Sequence, residues 1–189
     1  MGGKSSTPPL PEMVTIAVID INCFRISKQV NLNWQFSALV KTLSLEYNLD
    51  GGDLTIMYRG QIISNFANKS YDLKTLEFSE NSEIYIQHPR KQSQLEIISI
   101  MIIDTEERSQ AVSVYSKCLY KDLCMHIEWK YGKVLRLLAV YYRTKLLNYD
   151  KCKDKKISEI STNGMQNGDS LRIMKQYNGG PDKENVFCN

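Results

Sequence analysis

No stretch of this 189-residue chain is apolar for long enough to span a bilayer, and no secretory signal pattern opens it. Histidine is scarce. Only His88 and His126 could join the five cysteines (Cys23, Cys118, Cys124, Cys152 and Cys188) as soft metal ligands, and they lie in different halves, which argues against a zinc site. The odd cysteine count fits no framework spacing, so reduced thiols in a cytoplasmic setting are expected. An excess of one charge is also lacking. The net charge is +3; residues 1–92 carry 9 basic and 9 acidic side chains, and the remainder 15 and 12. The basic run of Arg143, Lys145, Lys151, Lys153, Lys155 and Lys156 is broken by Asp150 and Asp154, as in a solvated loop. Phosphate binding needs a more concentrated basic surface, so no nucleic-acid partner is expected.

Enzyme signatures are missing in the same way. There is no P-loop, no nucleotide-binding glycine motif and no two-metal carboxylate cluster. Cys124 and His126 are two apart in a helical pattern, so they do not share a face and cannot act as a nucleophile–base pair. No catalytic residue, no metal and no cofactor is expected.

What is present begins with a leader, residues 1–12, that holds three prolines and no apolar periodicity, as a disordered segment does. Gly2 with Ser6 fits the N-myristoylation pattern. One acyl chain gives only marginal membrane binding, and the leader's single Lys4 adds little to it. Membrane association is therefore expected only if Gly2 is acylated.

Order is expected from Met13. Val14 to Asp20 alternates and is β-branched, so it reads as a strand, and Phe24, Ile26 and Val30 suggest its hairpin partner. Asn31 or Asn33 can cap a helix whose apolar face is Phe36, Leu39, Val40, Leu43 and Tyr47. Leu54–Tyr58 is a third strand, turning at Arg59-Gly60 into Ile62-Ile63, and Ile84-Tyr85-Ile86 closes the set. One helix against a mixed sheet of four or five strands is an α+β roll.

After a short polar linker, residues 89–94, the pattern returns. Asp20 matches Asp104; Phe36, Leu39, Val40 and Leu43 match Tyr120, Leu123, Cys124 and Ile127; Tyr47 matches Tyr131; Tyr58-Arg59 matches Tyr142-Arg143. Every pair is 84 residues apart. A constant offset through strand, helix and strand says that one fold occurs twice. Ile84 and Ile86 match Leu171 and Ile173 at an offset of 87, so the second copy has three extra residues in the connection that carries the lysine run. The expected organisation is a first domain over 13–88, a second over 95–180, and a C-terminal extension, 181–189.

Each copy resembles the ubiquitin family, whose fold is a β-grasp. In the first copy the resemblance is carried by Leu54-Thr55-Ile56-Met57-Tyr58-Arg59-Gly60-Gln61-Ile62-Ile63, by Leu73-Lys74-Thr75-Leu76 and by Ser82–Ile86. In the second it is carried by Val140–Leu147, with Thr144 in place of the turn glycine, by Ile157–Ile160 and by Asp169–Ile173. The spacing from Met165 to the glycine pair Gly179-Gly180 matches that of ubiquitin's own C-terminus. The resemblance implies two tandem β-grasp domains that work by binding proteins.

It also implies a site. In conjugated members of the family the terminal glycine carboxylate is joined to a target lysine. Gly180, preceded by Gly179, would take that role after cleavage before Pro181, with activating, conjugating and deconjugating enzymes as partners. Pro181 and a tail without the family's arginines, with Gln176 and Asn178 instead, favour the alternative: a non-conjugated adaptor or a subunit of a larger assembly with a dedicated partner. The family's apolar recognition patch maps onto Met57 and Gln87 in copy one and onto Tyr141 and Met174 in copy two, where Arg172 replaces the patch histidine.

Overall fold

The computed structural model describes residues 11–50, 53–64, 70–89, 95–131, 138–175 and 186–187. The chain divides into two compact units, Met1–Val18 with Ile26–His88, and Ile19–Arg25 with Pro89–Asn189.

The first five-stranded sheet is built from β1 (Met13–Ile19), β2 (Arg25–Asn31), β3 (Ile56–Tyr58), β4 (Gln61–Ile62) and β5 (Glu83–Ile86), in the order β2-β1-β5-β3-β4. Helix α1 (Phe36–Tyr47) lies between β2 and β3 in the chain. It buries Phe36, Leu39, Val40, Leu43 and Tyr47, which sit three and four residues apart and so form one stripe. The stripe shares a core with Ile16, Val18, Ile56, Leu73, Ile84 and Ile86. Neither Asn31 nor Asn33 caps the helix: its N-cap is Gln35, without a side-chain bond. Asn31 instead turns back locally, its Oδ1 accepting the Asn33 N–H at 2.9 Å, a local bond that competes with capping. Asn48, at φ 54°, ends the helix in the left-handed conformation that asparagine tolerates.

The second sheet repeats this plan with β6 (Ile97–Ile103), β7 (Ser109–Tyr115), α2 (Tyr120–Tyr131), β8 (Leu138–Tyr142), β9 (Lys145–Leu147) and β10 (Ser170–Lys175). A short helix α3 (Tyr149–Cys152) and a 3-10 turn (Ile157–Glu159) fill the connection before β10, and β11 (Val186–Phe187) extends the edge. The order is β11-β9-β8-β10-β6-β7. Strand β10 runs parallel to β6 and antiparallel to β8, so the sheet is mixed. In both sheets the last strand of the repeat lies in the middle, beside the first, with one helix in the crossover. That is the β-grasp expected from the sequence.

The repeat extends to the backbone. Left-handed residues recur at Cys23 and Glu107, at Arg59 and Arg143, and at Gly60 and Thr144, all 84 apart; Glu77 and Gly164, and Asn81 and Gly168, recur at 87. The Leu73 N–H bonds to Trp34 O and its counterpart Ile157 N–H to Cys118 O, still at 84. The three extra residues therefore fall between the 3-10 turn and Gly164, after the lysine run.

Thr144 stands at φ 68° where Gly60 takes 77°. A β-branched residue in that region is strained, by about 1–2 kcal/mol. Thr144→Gly is therefore expected to raise the thermal midpoint of the second unit by several degrees. An unchanged midpoint would show that the turn carries no such strain.

The stretch Ile19–Arg25 was expected inside the first domain, but it packs with the second unit. Cys23 is part of that unit's core, with Cys118, Tyr120, Leu123 and Cys124. The Arg25 guanidinium donates to both carboxylate oxygens of Asp122, at 3.1 and 2.6 Å, and the Asp122 side chain is completely buried. Asp122 lies in the first turn of α2, where the helix dipole also favours an anion. The reason is legible in the repeat. Ile21-Asn22-Cys23-Phe24 is apolar where the matching turn, Thr105-Glu106-Glu107-Arg108, is charged and largely exposed.

Cysteine chemistry departs from expectation too. Cys23, Cys118 and Cys124 are free and buried, but Cys152 is disulfide-bonded. Burial pushes the Cys124 thiol well up, as befits a packing residue rather than a nucleophile.

Candidate functional site: the outer face of the second sheet

Several of the residues singled out from the sequence lie outside the described residues: Gly2, Gly179, Gly180 and Pro181. The patch residues are described, and they part company. Met57 is only 5% exposed. It stands directly opposite Tyr85 in the β3–β5 register, and Tyr85 is buried as well, so this position presents little surface.

The second unit is different. Arg172 pairs with Tyr141 and Met174 with Ala139 across β10 and β8; Ser170 pairs with Met101 and Arg172 with Ile103 across β10 and β6. Directly paired residues share a face of a sheet. Leu171 and Ile173 point to the core, which leaves Tyr141, Arg172, Met174, Met101 and Ile103 on the outer side. Met174 is 44% exposed, Ile97 41% and Met101 37%, while Tyr141 and Ile103 are half-buried. Arg172 sits among them, exposed, and donates to Glu107 Oε1 at 2.7 Å. An ion pair this exposed adds about 0–1 kcal/mol to stability, so the guanidinium remains free to exchange Glu107 for another acceptor.

Three members of this face, Ile97, Met101 and Ile103, were missed in the sequence. Their signal was the strand Ile97-Ile98-Ser99-Ile100-Met101-Ile102-Ile103, which barely alternates. A half-buried strand should be polar at every second position; one that is apolar on both faces has a second face to cover.

A tyrosine node sets the end of β10 that abuts this face. The Tyr142 hydroxyl lies 2.6 Å from Asp169 Oδ2 and 2.9 Å from the Gly164 carbonyl oxygen. Tyr58 holds the equivalent place, donating to Glu77 O at 2.8 Å. The two rings carry arginines above them, Arg143 at 5.0 Å and Arg59 at 5.1 Å, each a cation–π pair. Burial and the adjacent Asp169 carboxylate push Tyr142 up to about 12. For Asp169, burial opposes ionisation, but the Tyr142 hydroxyl, the Gln166 N–H and Arg143 outweigh it and hold the carboxyl below its usual value.

A lowered carboxyl stabilises the fold above its unfolded-state pKa of about 3.9, and that contribution is lost as pH falls through the lower folded value. Asp169→Asn is thus expected to cost stability at neutral pH and to flatten the acid limb of the second unit's stability profile below about pH 4. Thermal unfolding of both forms across the acid range checks this; parallel acid limbs would refute it.

Among the described residues no three His, Cys, Asp or Glu side chains group to hold a metal ion, and no helix is long and apolar enough to cross a membrane. What the arrangement offers is an apolar stripe with one exchangeable cation.

Each unit is a ubiquitin-like fold. Among solved structures the chain is similar to Caldiarchaeum subterraneum ubiquitin, at 11% identity and a TM-score of 0.35 over 41% of this chain and 94% of that one. It is similar to the ubiquitin-like domain of yeast Ddi1, at 15% and 0.36 over 43% and 93%, and to the N-terminal ubiquitin-like domain of the 4931431F19Rik protein, at 12% and 0.36 over 51% and 95%. No family model matches the chain, and no curated protein matches it.

Proposed function

We propose that this tandem ubiquitin-like protein is a non-enzymatic module that acts by binding other proteins, through the outer face of the second sheet. The observation that carries the reading is the exposed apolar stripe of Ile97, Met101 and Met174 around Arg172. Methionines adapt to varied partner shapes, and exposed apolar groups gathered on one face mark interaction sites more than scattered ones do. Arg172 would supply orientation by pairing with an acidic group of the partner.

Two readings of the outcome remain. In the first, the chain is cleaved before Pro181 and conjugated through Gly180 to target lysines; the glycine pair at ubiquitin's spacing supports it. In the second, the chain is a non-conjugated adaptor or assembly subunit. The pairing of β11, which lies beyond Gly180, with β9 supports that one. A cytoplasmic location, with membrane tethering if Gly2 is acylated, goes with either.

Intact mass and terminal mapping of the protein from its own cells separate the two. Chains ending at Gly180, or Gly179-Gly180 remnants on other proteins' lysines, would establish the modifier. Full-length mass with no conjugates would leave the adaptor. The binding face itself is tested with Met174→Glu and Met101→Glu: partners recovered by quantitative cross-linking should fall at least tenfold. Equal recovery from folded variants would move the site elsewhere.

A further inference from the structure

The edge of a sheet presents unpaired backbone groups to any chain that comes near, and proteins blunt such edges with short strands, charged side chains or proline. Three of the four sheet edges carry such a device. Strands β4 and β11 are two residues long, and β2 carries Lys28, held to Glu46 of α1. The edge strand β7 differs. It runs for seven residues, Ser109-Gln110-Ala111-Val112-Ser113-Val114-Tyr115, without a charge, a proline or a glycine. Val112 stands at the repeat position of Lys28, 84 residues on. Among the described residues no strand pairs with the outer side of β7.

Which backbone groups are free follows from the neighbouring strands. The Met101 N–H donates to Asp169 O, and the Ser99 carbonyl accepts from the Gly168 N–H. The odd-numbered residues of β6 therefore direct their backbone groups to β10, and the even-numbered ones to β7. Ile98, Ile100 and Ile102 pair with Val114, Val112 and Gln110. Bonded and averted residues alternate in an antiparallel ladder, so the N–H and C=O groups of Ser109, Ala111 and Ser113 point away from the sheet. All three residues are exposed. The next averted residue at each end is already engaged. The Tyr115 N–H donates to Asn22 O at 2.7 Å and its carbonyl accepts from Cys118 at 2.9 Å. The Glu107 N–H donates to Asp104 O at 3.1 Å, within the turn that leads into β7. The free stretch is thus centred on Ala111 and closed four residues away on either side.

A two-fold axis at Ala111 maps this stretch onto itself. Antiparallel pairing sets Ala111 opposite the partner's Ala111 and Ser109 opposite the partner's Ser113, and each such pair exchanges both of its backbone bonds. No like charges meet among these residues, and their side chains are small. The ladder ends where Tyr115 meets the partner's Glu107, and both of those N–H groups are bonded within their own chain. A second copy is therefore matched to both limits of the edge at once, by symmetry; an unrelated strand has no reason to be.

We propose that β7 is the interface of a two-fold homodimer, in which the β7 strands of two chains pair antiparallel about Ala111 and join their second sheets into one. An interface this small is a transient one, so the dimer forms in a concentration-dependent way. Ser109 and Ala111 pair with Ile103 and Met101, so their side chains lie on the outer face of the sheet. The dimer makes two such faces continuous, and a partner with two sites gains avidity from it. Dimerisation does not require that the face bind a partner, so the two readings fail separately.

The test uses the full chain and two variants, Ala111→Lys and Ala111→Glu, at an exposed position where both should fold as the parent does. Sedimentation velocity should show the parent passing from monomer to dimer as its concentration rises. Each variant alone sets like charges opposite one another across the axis, and its association constant should fall by about fivefold. An equal mixture of the two variants should recover the dimer, which misfolded chains could not do. Hydrogen exchange at the Ser109, Ala111 and Ser113 amides should slow as the parent is concentrated. A parent that stays monomeric, or a mixture no better than either variant, would overturn the dimer. So would protection of these amides that ignores dilution, which gives the edge to a segment of the same chain. Protection gained only when another protein is added gives it to a foreign strand and overturns the dimer equally.

Discussion

Gly164→Ala is expected to destabilise the second unit by about 2–5 kcal/mol, from two independent effects. The first is conformational. Gly164 stands at φ +65°, where an L residue carries about 1–2 kcal/mol of strain. The second is steric. A Cβ there would lie 2.4 Å from the carbonyl oxygen of Ser158 and 2.8 Å from its carbonyl carbon and Cα. These are backbone atoms in the 3-10 turn, so no rotamer change relieves the contact, and forced backbone shifts of this kind cost about 1–3 kcal/mol. The carbonyl of Gly164 itself accepts from the Tyr142 hydroxyl, so a shift would also disturb the node that sets β10.

Gly168→Ala is the control. Its φ of +86° is equally left-handed, but nothing lies within 4 Å of its Cβ position. It should cost only the conformational part, about 1–2 kcal/mol. Denaturant midpoints of the two variants separate strain from collision; equal midpoints would show that the Ser158 backbone yields freely. Glu77, the repeat partner of Gly164, tolerates a side chain at φ 58°, and the first unit lacks the three extra residues beside it.

Leu123→Ala should be about as damaging, at about 2–5 kcal/mol. Leu123 is fully buried at the centre of the α2 stripe, and its removal leaves a cavity that a helix docked on a sheet cannot close. Leu39 is the matching residue of α1 and is equally buried, so Leu39→Ala should lower the stability of the first unit by a similar amount. Urea unfolding of the two variants checks both. A loss below about 1 kcal/mol at either position would mean that its helix does not pack as described.

The equivalence of Leu39 and Leu123 was legible in the sequence because helical periodicity and a constant offset are local properties. So were the glycine-turn strands, the stop of α1 and the three-residue insertion, since each depends on backbone preferences that neighbouring residues express. The interaction face was legible only in part. Tyr141, Arg172 and Met174 were found through the resemblance, and the structure leaves them on the outer side of the sheet. Ile97, Met101 and Ile103 belong beside them, but their strand is apolar on both faces, and alternation cannot then say which face is the core.

By itself the sequence determined that one helix against a mixed sheet occurs twice, because periodicity and a constant offset are carried by each copy's own residues; the resemblance to the ubiquitin family is what implied a β-grasp. The sequence did not determine what lies over the remaining surfaces. Only the tertiary structure buried Met57 opposite Tyr85, packed Cys23 into the second core, and placed Val186 and Phe187 along β9. Each of these joins segments far apart in the chain. Periodicity reports which face of a segment is apolar; which distant segment covers that face is decided by shape, by open strand edges and by reach through space.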